Sequence, residues 1–268
     1  MLGKLMKHEF KSTYRIFIPI YIGLVLLTLA GSFFIQLILH YEDTTPLAII
    51  SGFGIILLVF GLIFVFISPY IFLSIRFYKT TATREAYLTF TVPAETHQIL
   101  LSKFIVSFGW TVATMILAYF SVALLFAAGG TQIKDMTSFL ITIFEEDTSL
   151  MITQIISLLL SCALSILQIF TAISLGQLVR DHRIIASLAF YTALYTVQQI
   201  VSIVVLLPFM LTEIRNNLSA EINTFSTGLQ SSTPTMSVLF LSIILSVVFS
   251  VAFFFLSKFI LKKKLNLL

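Results

Sequence analysis

Charge is scarce in this sequence: Asp, Glu, Lys and Arg make up 10% of its 268 residues, where a soluble domain carries about 25%. That is too little polarity to cover a water-facing surface. An ordinary soluble enzyme, a disordered chain and a nucleic-acid-binding domain are therefore excluded. Cysteine occurs once, as Cys162, so neither a disulfide framework within the chain nor a cysteine-rich metal site can form. Six Pro and 11 Gly are too few for a linker-rich or fibrous protein. What abounds is apolar: 58% of the residues are hydrophobic, 27 of them Phe, and the mean hydropathy is +1.04. The composition predicts a polytopic membrane protein.

Catalytic signatures are missing as well. There is no HExxH helix, and the four His residues, 8, 40, 97 and 182, are scattered. No GxSxG nucleophile elbow occurs. No GxxxxGK[ST] loop is present to cradle phosphates, so ATP hydrolysis of that type would have to come from another chain. The adjacent acids Glu145 and Glu146 have no His nearby in sequence.

About 20 apolar residues are needed to cross some 30 Å of hydrocarbon. Six runs qualify, at 16–39, 47–75, 104–128, 150–179, 184–210 and 235–260, and none has a charged residue in its middle. Pro19, Pro69 and Pro208 are read as lying near span ends, where a missing backbone donor costs least. The first run is too long for the core of a signal peptide, and no small-residue cleavage site follows it. The spans predict an all-α fold of six transmembrane helices in a single domain, 1–268.

Charge placement orients the spans. Lys4, Lys7, Lys11 and Arg15 precede the first run, and Arg76, Lys79, Arg84 and Lys103 lie between the second and third. Arg180 and Arg183 lie between the fourth and fifth, and Lys258, Lys262, Lys263 and Lys264 close the chain. Fourteen of 16 basic residues thus share one side, with only Lys134 and Arg215 opposite. Eight of 12 acids, including Glu42, Asp43 and Asp135, fall on that opposite side. The positive-inside rule makes both termini cytoplasmic, as an even number of spans requires.

Residues 1–15 place Leu2, Leu5, Met6, Phe10 and Tyr14 on one helical face, with the basic residues elsewhere around the helix. This pattern predicts an interfacial amphipathic helix, either a plain anchor or a docking element for a cytoplasmic partner. The segment 76–103 is far longer than the 2–8 residues that joining two antiparallel helices takes. It reads as a short helix near 83–88, a turn at Val92-Pro93 and a new helix entering the third span. It is either a protein-contact region or a solvated loop. On the other side, 131–149 suggests a small interfacial helix around 139–144. The Ser-, Thr- and Asn-rich stretch 211–234 either partly re-enters the membrane or covers its outer face.

Three spans carry polar or small residues at steps of three and four, which puts each set on one helix face. They are Ser107, Thr111, Thr114, Ala118 and Ser121; then Gln154, Ser157, Ser161, Ser165 and Gln168; then Ser187, Tyr191, Tyr195, Gln198 and Ser202, with Gln199 beside them. Hydroxyls and amides are costly in lipid, so these faces should turn toward another helix or a cavity. A packing seam and a lined path both satisfy that. No intramembrane acid or base is present to relay protons or hold sodium, which argues against an ion-coupled transporter.

The opening MLGKLMKHEFK, the stretch RFYKTTATREAYLTFTVPAETHQILLSK (76–103) and ISLGQLVRDHRIIASLAFY (173–191) resemble the membrane subunits of ABC-2-type ATP-binding-cassette exporters of Gram-positive bacteria. The resemblance implies a half-transporter permease in the bacterial plasma membrane. It would pair with a second copy or a homologous permease and with separate ABC ATPase subunits, surrounded by membrane lipid and bound to no nucleic acid. No cofactor is expected in this chain, since ATP and Mg would sit in the partner. Carried onto this sequence, Arg84, Glu85, Tyr87, Leu88, Phe90, Pro93 and His97 would form the ATPase-coupling region, with Gln177, Arg180, Asp181, His182 and Arg183 as a second contact. Spans two and five would wall the path, lined by Tyr191, Tyr195, Gln198, Gln199 and Ser202. Abundant Phe without buried charge points to an amphipathic or lipophilic cargo such as a peptide, antibiotic or lipid. The rival reading is a non-transporting membrane protein: a scaffold, a sensor or an intramembrane enzyme.

Overall fold

The computed structural model describes residues 2–40, 45–82, 95–128, 148–179, 182–223 and 236–263. Six helices account for nearly all of them: α1 (Leu2–His40), α2 (Thr45–Ala82), α3 (Thr96–Ala128), α4 (Thr148–Gly176), α5 (Arg183–Asn223) and α6 (Met236–Lys263). No strand occurs among the described residues. Each helix is long and apolar enough to cross a membrane, so the six expected spans are all present. Many large apolar side chains point outward, among them Phe60, Phe64, Ile184 and Val204. Lipid, rather than water, is the solvent that such a surface requires.

The helices outrun the apolar runs. Helix α1 continues without a break through Arg15, where the sequence suggested a separate interfacial helix and a turn. Residues 76–82 extend α2 and residues 96–103 open α3, so much of the expected cytoplasmic segment is helical. Helix α5 runs on to Asn223, into the stretch expected as an outer loop, while α4 stops at Gly176 rather than at 179. Pro19, Pro69 and Pro208 all lie inside helices rather than at ends. Hydropathy measures how much of a helix suits hydrocarbon, whereas the helix ends where its backbone bonds end. The elements expected at 83–88, Val92-Pro93 and 139–144 lie outside the described residues.

The chain forms two compact units, Met1–Glu146 and Asp147–Leu268. In the first, α1, α2 and α3 each pack on the other two, α1 most extensively on α3. Phe17, Leu73, Val106 and Trp110 form a buried cluster there, flanked by Met6, Tyr14, Tyr21 and Phe72. Farther along, α1 and α2 approach closely because Gly31 faces Leu58 and Gly61 faces Leu27. An apolar groove of about 170 Å³ lies beside this contact, lined by Leu27, Phe34, Phe53 and Leu57 among others.

In the second unit α4 is central and packs on both α5 and α6. Cys162, Ile166, Leu167, Phe170 and Ile173 are buried along α4, and Phe253, Ile260 and Leu261 along α6. Thr171 joins the two helices: its hydroxyl lies 2.8 Å from that of Ser257 and 3.0 Å from the Phe253 carbonyl. It also lies 2.8 Å from the carbonyl of Leu167. One hydroxyl hydrogen can serve only one carbonyl, so Ser257 donates to Thr171. Just before α5, His182 lies in the left-handed region at φ 58°.

Gly176 lets the end of α4 approach α5 closely, since a Cβ there would stand 2.8 Å from both the backbone nitrogen and the Cα of Ser187. Backbone cannot rotate away as a side-chain tip can. Gly176→Ala should therefore cost about 1–3 kcal/mol and lower the thermal midpoint of the detergent-purified protein by several degrees. Gly109→Ala, in the interior of α3 with nothing within 4 Å, should not lower that midpoint and should raise it slightly, since Ala favours a helix over Gly by about 0.5–1 kcal/mol.

Candidate functional site

The best-built polar constellation lies where the first turns of α1 meet the end of α2 and the start of α3. Glu9 of α1 accepts from Arg76 of α2 through Nε at 2.8 Å and Nη2 at 2.6 Å, both onto Oε2. Its other oxygen accepts from Lys103 Nζ of α3 at 2.5 Å. Arg76 Nη1 also donates to Ser12, and Lys103 donates to Thr80 Oγ1 at 3.0 Å. The Lys103 and Glu9 side chains are 6% and 15% exposed. That removes them largely from solvent screening, so this pair counts for more than an ordinary surface salt bridge.

The contact continues along α1 at helical steps. Trp110 Nε1 donates to Thr13 Oγ1 at 2.8 Å, while the Thr13 hydroxyl turns back to the carbonyls of Glu9 and Phe10. The Trp110 ring lies between Phe10 and Phe17, with centroids 5.0 and 4.7 Å away and planes within 8° and 12° of parallel. One turn farther, the Tyr21 hydroxyl bonds the Trp110 carbonyl at 3.1 Å and Thr114 Oγ1 at 2.9 Å. Positions 9, 13, 17 and 21 of α1 thus meet 103, 110 and 114 of α3 along one seam, as steps of three and four require.

In sequence, this arrangement brackets the segment 83–94. Arg76 and Thr80 lie just before it and Lys103 just after it, and the one carboxylate of Glu9 holds both sides. Of the residues expected to couple to a partner, Arg84, Glu85, Tyr87, Leu88, Phe90 and Pro93 lie outside the described residues. His97 is in the first turn of α3, with Nδ1 2.8 Å from Glu95 Oε2. In the second unit, Gln177 follows α4 in a turn. The His182 carbonyl accepts the first-turn bond from Ala186 at 3.0 Å, and Arg183 opens α5. Arg180 and Asp181 lie outside the described residues. No group of three or more His, Cys, Asp or Glu side chains suited to a metal ion occurs among the described residues.

The three polar stripes fare differently. On α3, Ser107, Thr111, Thr114, Ala118 and Ser121 are all buried, as an inward face requires. On α4 only Gln168 is buried; Gln154 and Ser161 are exposed, and Ser157, Ser161 and Ser165 bond their own helix backbone. The α5 stripe sits at the edge of the packed side. Ser187, Tyr191, Gln198 and Ser202 lie on the partly buried side, whereas Tyr195 and Gln199 are exposed and bonded to each other at 3.2 Å. Gln168 Nε2, Gln198 Oε1 and Ser250 Oγ, one on each helix of the second unit, are buried without a hydrogen bond. Such an orphan atom costs about 1–3 kcal/mol.

Glu9 and Trp110 are the residues that sequence reasoning passed over. The signal was there in a lone acid within a basic N-terminal helix and in the chain's single Trp. Comparison with protein-family models, with curated proteins and with solved structures finds no match.

Removing the carboxylate would leave two cations facing each other. Glu9→Ala should destabilise the first unit by about 2–4 kcal/mol and shift the emission of the sole tryptophan, Trp110, to the red. Detergent unfolding followed by that fluorescence checks both. Lys7→Ala, at an exposed position of the same helix, should change neither.

Proposed function

We propose that this chain is the membrane-spanning subunit of an ATP-driven exporter of the ABC-2 type. Its work comes from separate ATPase subunits, and it pairs with a second permease, the same chain or a homologue. The cargo is amphipathic or lipophilic: a peptide, antibiotic or lipid. Both termini lie in the cytoplasm of a bacterium. The first turns of α1, which carry Glu9, form the cytoplasmic end of that unbroken helix.

One observation carries the reading. A permease lacking a nucleotide loop must receive work through its cytoplasmic surface. Here the three helix ends around 83–94 are tied to one another through Glu9, Arg76 and Lys103. A push on that segment is then delivered to α1, α2 and α3 together, rather than absorbed by a slack loop. Along α5, Tyr191, Gln198 and Ser202 supply polar groups on the side toward the second unit's interior, where a cargo carrying some polarity would need them.

Affinity purification of the tagged chain from its native membrane in mild detergent tests this reading. It should bring down a stoichiometric soluble subunit carrying a GxxxxGK[ST] loop. Glu85→Lys should insert normally yet separate ATP turnover from transport. A preparation that stays free of any ATPase even after crosslinking contradicts the exporter assignment.

A further inference from the structure

The three orphan atoms of the second unit, Gln168 Nε2 on α4, Gln198 Oε1 on α5 and Ser250 Oγ on α6, have no hydrogen-bond partner among the described residues. Their helices all pack on one another. Gly176 of α4 meets Ser187 of α5, and Thr171 of α4 meets Ser257 of α6; these contacts fix where each orphan points. At about 100° per residue, Gln198 lies about 20° round α5 from Ser187, and Ser250 about 20° round α6 from Ser257. Both therefore face α4. Gln168 lies about 80° round α4 from Gly176 and about 60° from Thr171, between the sides that meet α5 and α6. The three point into one wedge.

Their levels agree as well. Counted from the Gly176–Ser187 contact, Gln168 stands about 12 Å along α4 and Gln198 about 17 Å along α5. Thr171 is about 8 Å along α4 from Gly176, and Ser250 about 11 Å farther along α6 from Ser257. All three orphans thus fall within about 6 Å of one level. Side chains lean toward the N-terminus of their own helix, and α4 and α5 run in opposite directions, so the two glutamines lean toward each other.

The chemistry of the set selects its ligand. The Gln168 nitrogen can only donate, the Gln198 oxygen can only accept, and the Ser250 hydroxyl can do either. A cation would be repelled by the amide N–H, and an anion by the carbonyl oxygen. Water accepts from the first, donates to the second, and keeps a proton and a lone pair for the third. Three bonds are the usual complement of an internal water, and with Gln168 only 3% exposed a larger group could not reach the wedge without parting the helices. We propose that α4, α5 and α6 hold a water molecule between them that bridges Gln168, Gln198 and Ser250 within the membrane. The site lies wholly inside the second unit and stands whether or not the chain is an exporter. A cargo that used Gln198 would first have to displace this water.

A crystal structure from lipidic mesophase, at a resolution that shows ordered water, tests it directly. It should contain a peak within about 3.2 Å of Gln168 Nε2, Gln198 Oε1 and Ser250 Oγ. A direct Gln168–Gln198 bond, or a wedge without such a peak, would overturn the proposal. Thermal midpoints of the full chain in detergent give a second reading. Gln168→Met, Gln198→Met and Ser250→Ala should each lower the midpoint by about 2–6 °C, since each strands the other two partners. Gln168→Met and Gln198→Met together should cost clearly less than the sum of the two, because the first already loses the water. Three unconnected orphans would behave otherwise: apolar replacement would raise the midpoint each time, or the shifts would simply add, and either result contradicts the bridge.

Discussion

One carboxylate shared by two cations sets how the first three helices meet. Glu9 stands between Arg76 and Lys103 where the local dielectric is well below that of water, so attraction is strong and an unmatched charge is costly. The arrangement makes sense only as a whole. Without Glu9, the Arg76 and Lys103 charges would repel across the α2–α3 contact; without either cation, a half-satisfied acid would be left at the edge of an apolar bundle. The seam above it, through Thr13, Trp110 and Tyr21, takes its register from the same alignment of α1 on α3.

Hydrocarbon as solvent accounts for most of the remaining polar geometry. Serine and threonine hydroxyls throughout the helices donate to carbonyls three or four residues back, as in Thr28, Ser68, Thr111 and Ser174. That local bond neutralises a hydroxyl without needing any partner helix. Glutamine cannot close on its own backbone so readily, and the amides are where the bookkeeping fails to balance. Gln168 and Gln198 keep buried atoms without a hydrogen bond, and Gln199 is exposed in mid-span. An amide in such a position is explained by something that reaches it, whether water, a cargo or another helix, because hydrophobic residues of similar size would pack there at lower cost.

The six spans were legible in the sequence because twenty apolar residues in a row have few other uses. Helix ends were not. The turns at 76–82 and 96–103 look like loop by hydropathy, yet their polar side chains Arg76, Thr80 and Lys103 are held by Glu9 and one another, which allows the helix to continue. The α3 stripe was read correctly as inward-facing, since Ser107, Thr111 and Thr114 recur at helical steps. The α5 stripe keeps to one face, as its steps of three and four suggest, but it sits at the edge of the packed side: Tyr195 lies only about 20° round the helix from Ser202 and is already exposed, as is Gln199 beside it. Glu9 escaped notice because its partners are 67 and 94 positions away. Counting charges by side of the membrane uses Arg76 and Lys103 as topology markers and says nothing of what they touch.

The central claim is that Glu9 joins both flanks of the 83–94 segment into one unit. A triple-mutant cycle over Glu9→Gln, Arg76→Gln and Lys103→Met, read as unfolding free energy in detergent, tests it most directly. The account predicts coupling of at least about 1 kcal/mol for Glu9 with each cation, and a Glu9–Arg76 coupling that changes when Lys103 is removed. Substitutions that simply add, within about 0.5 kcal/mol, would mean that the three side chains lie near one another without holding the helices together.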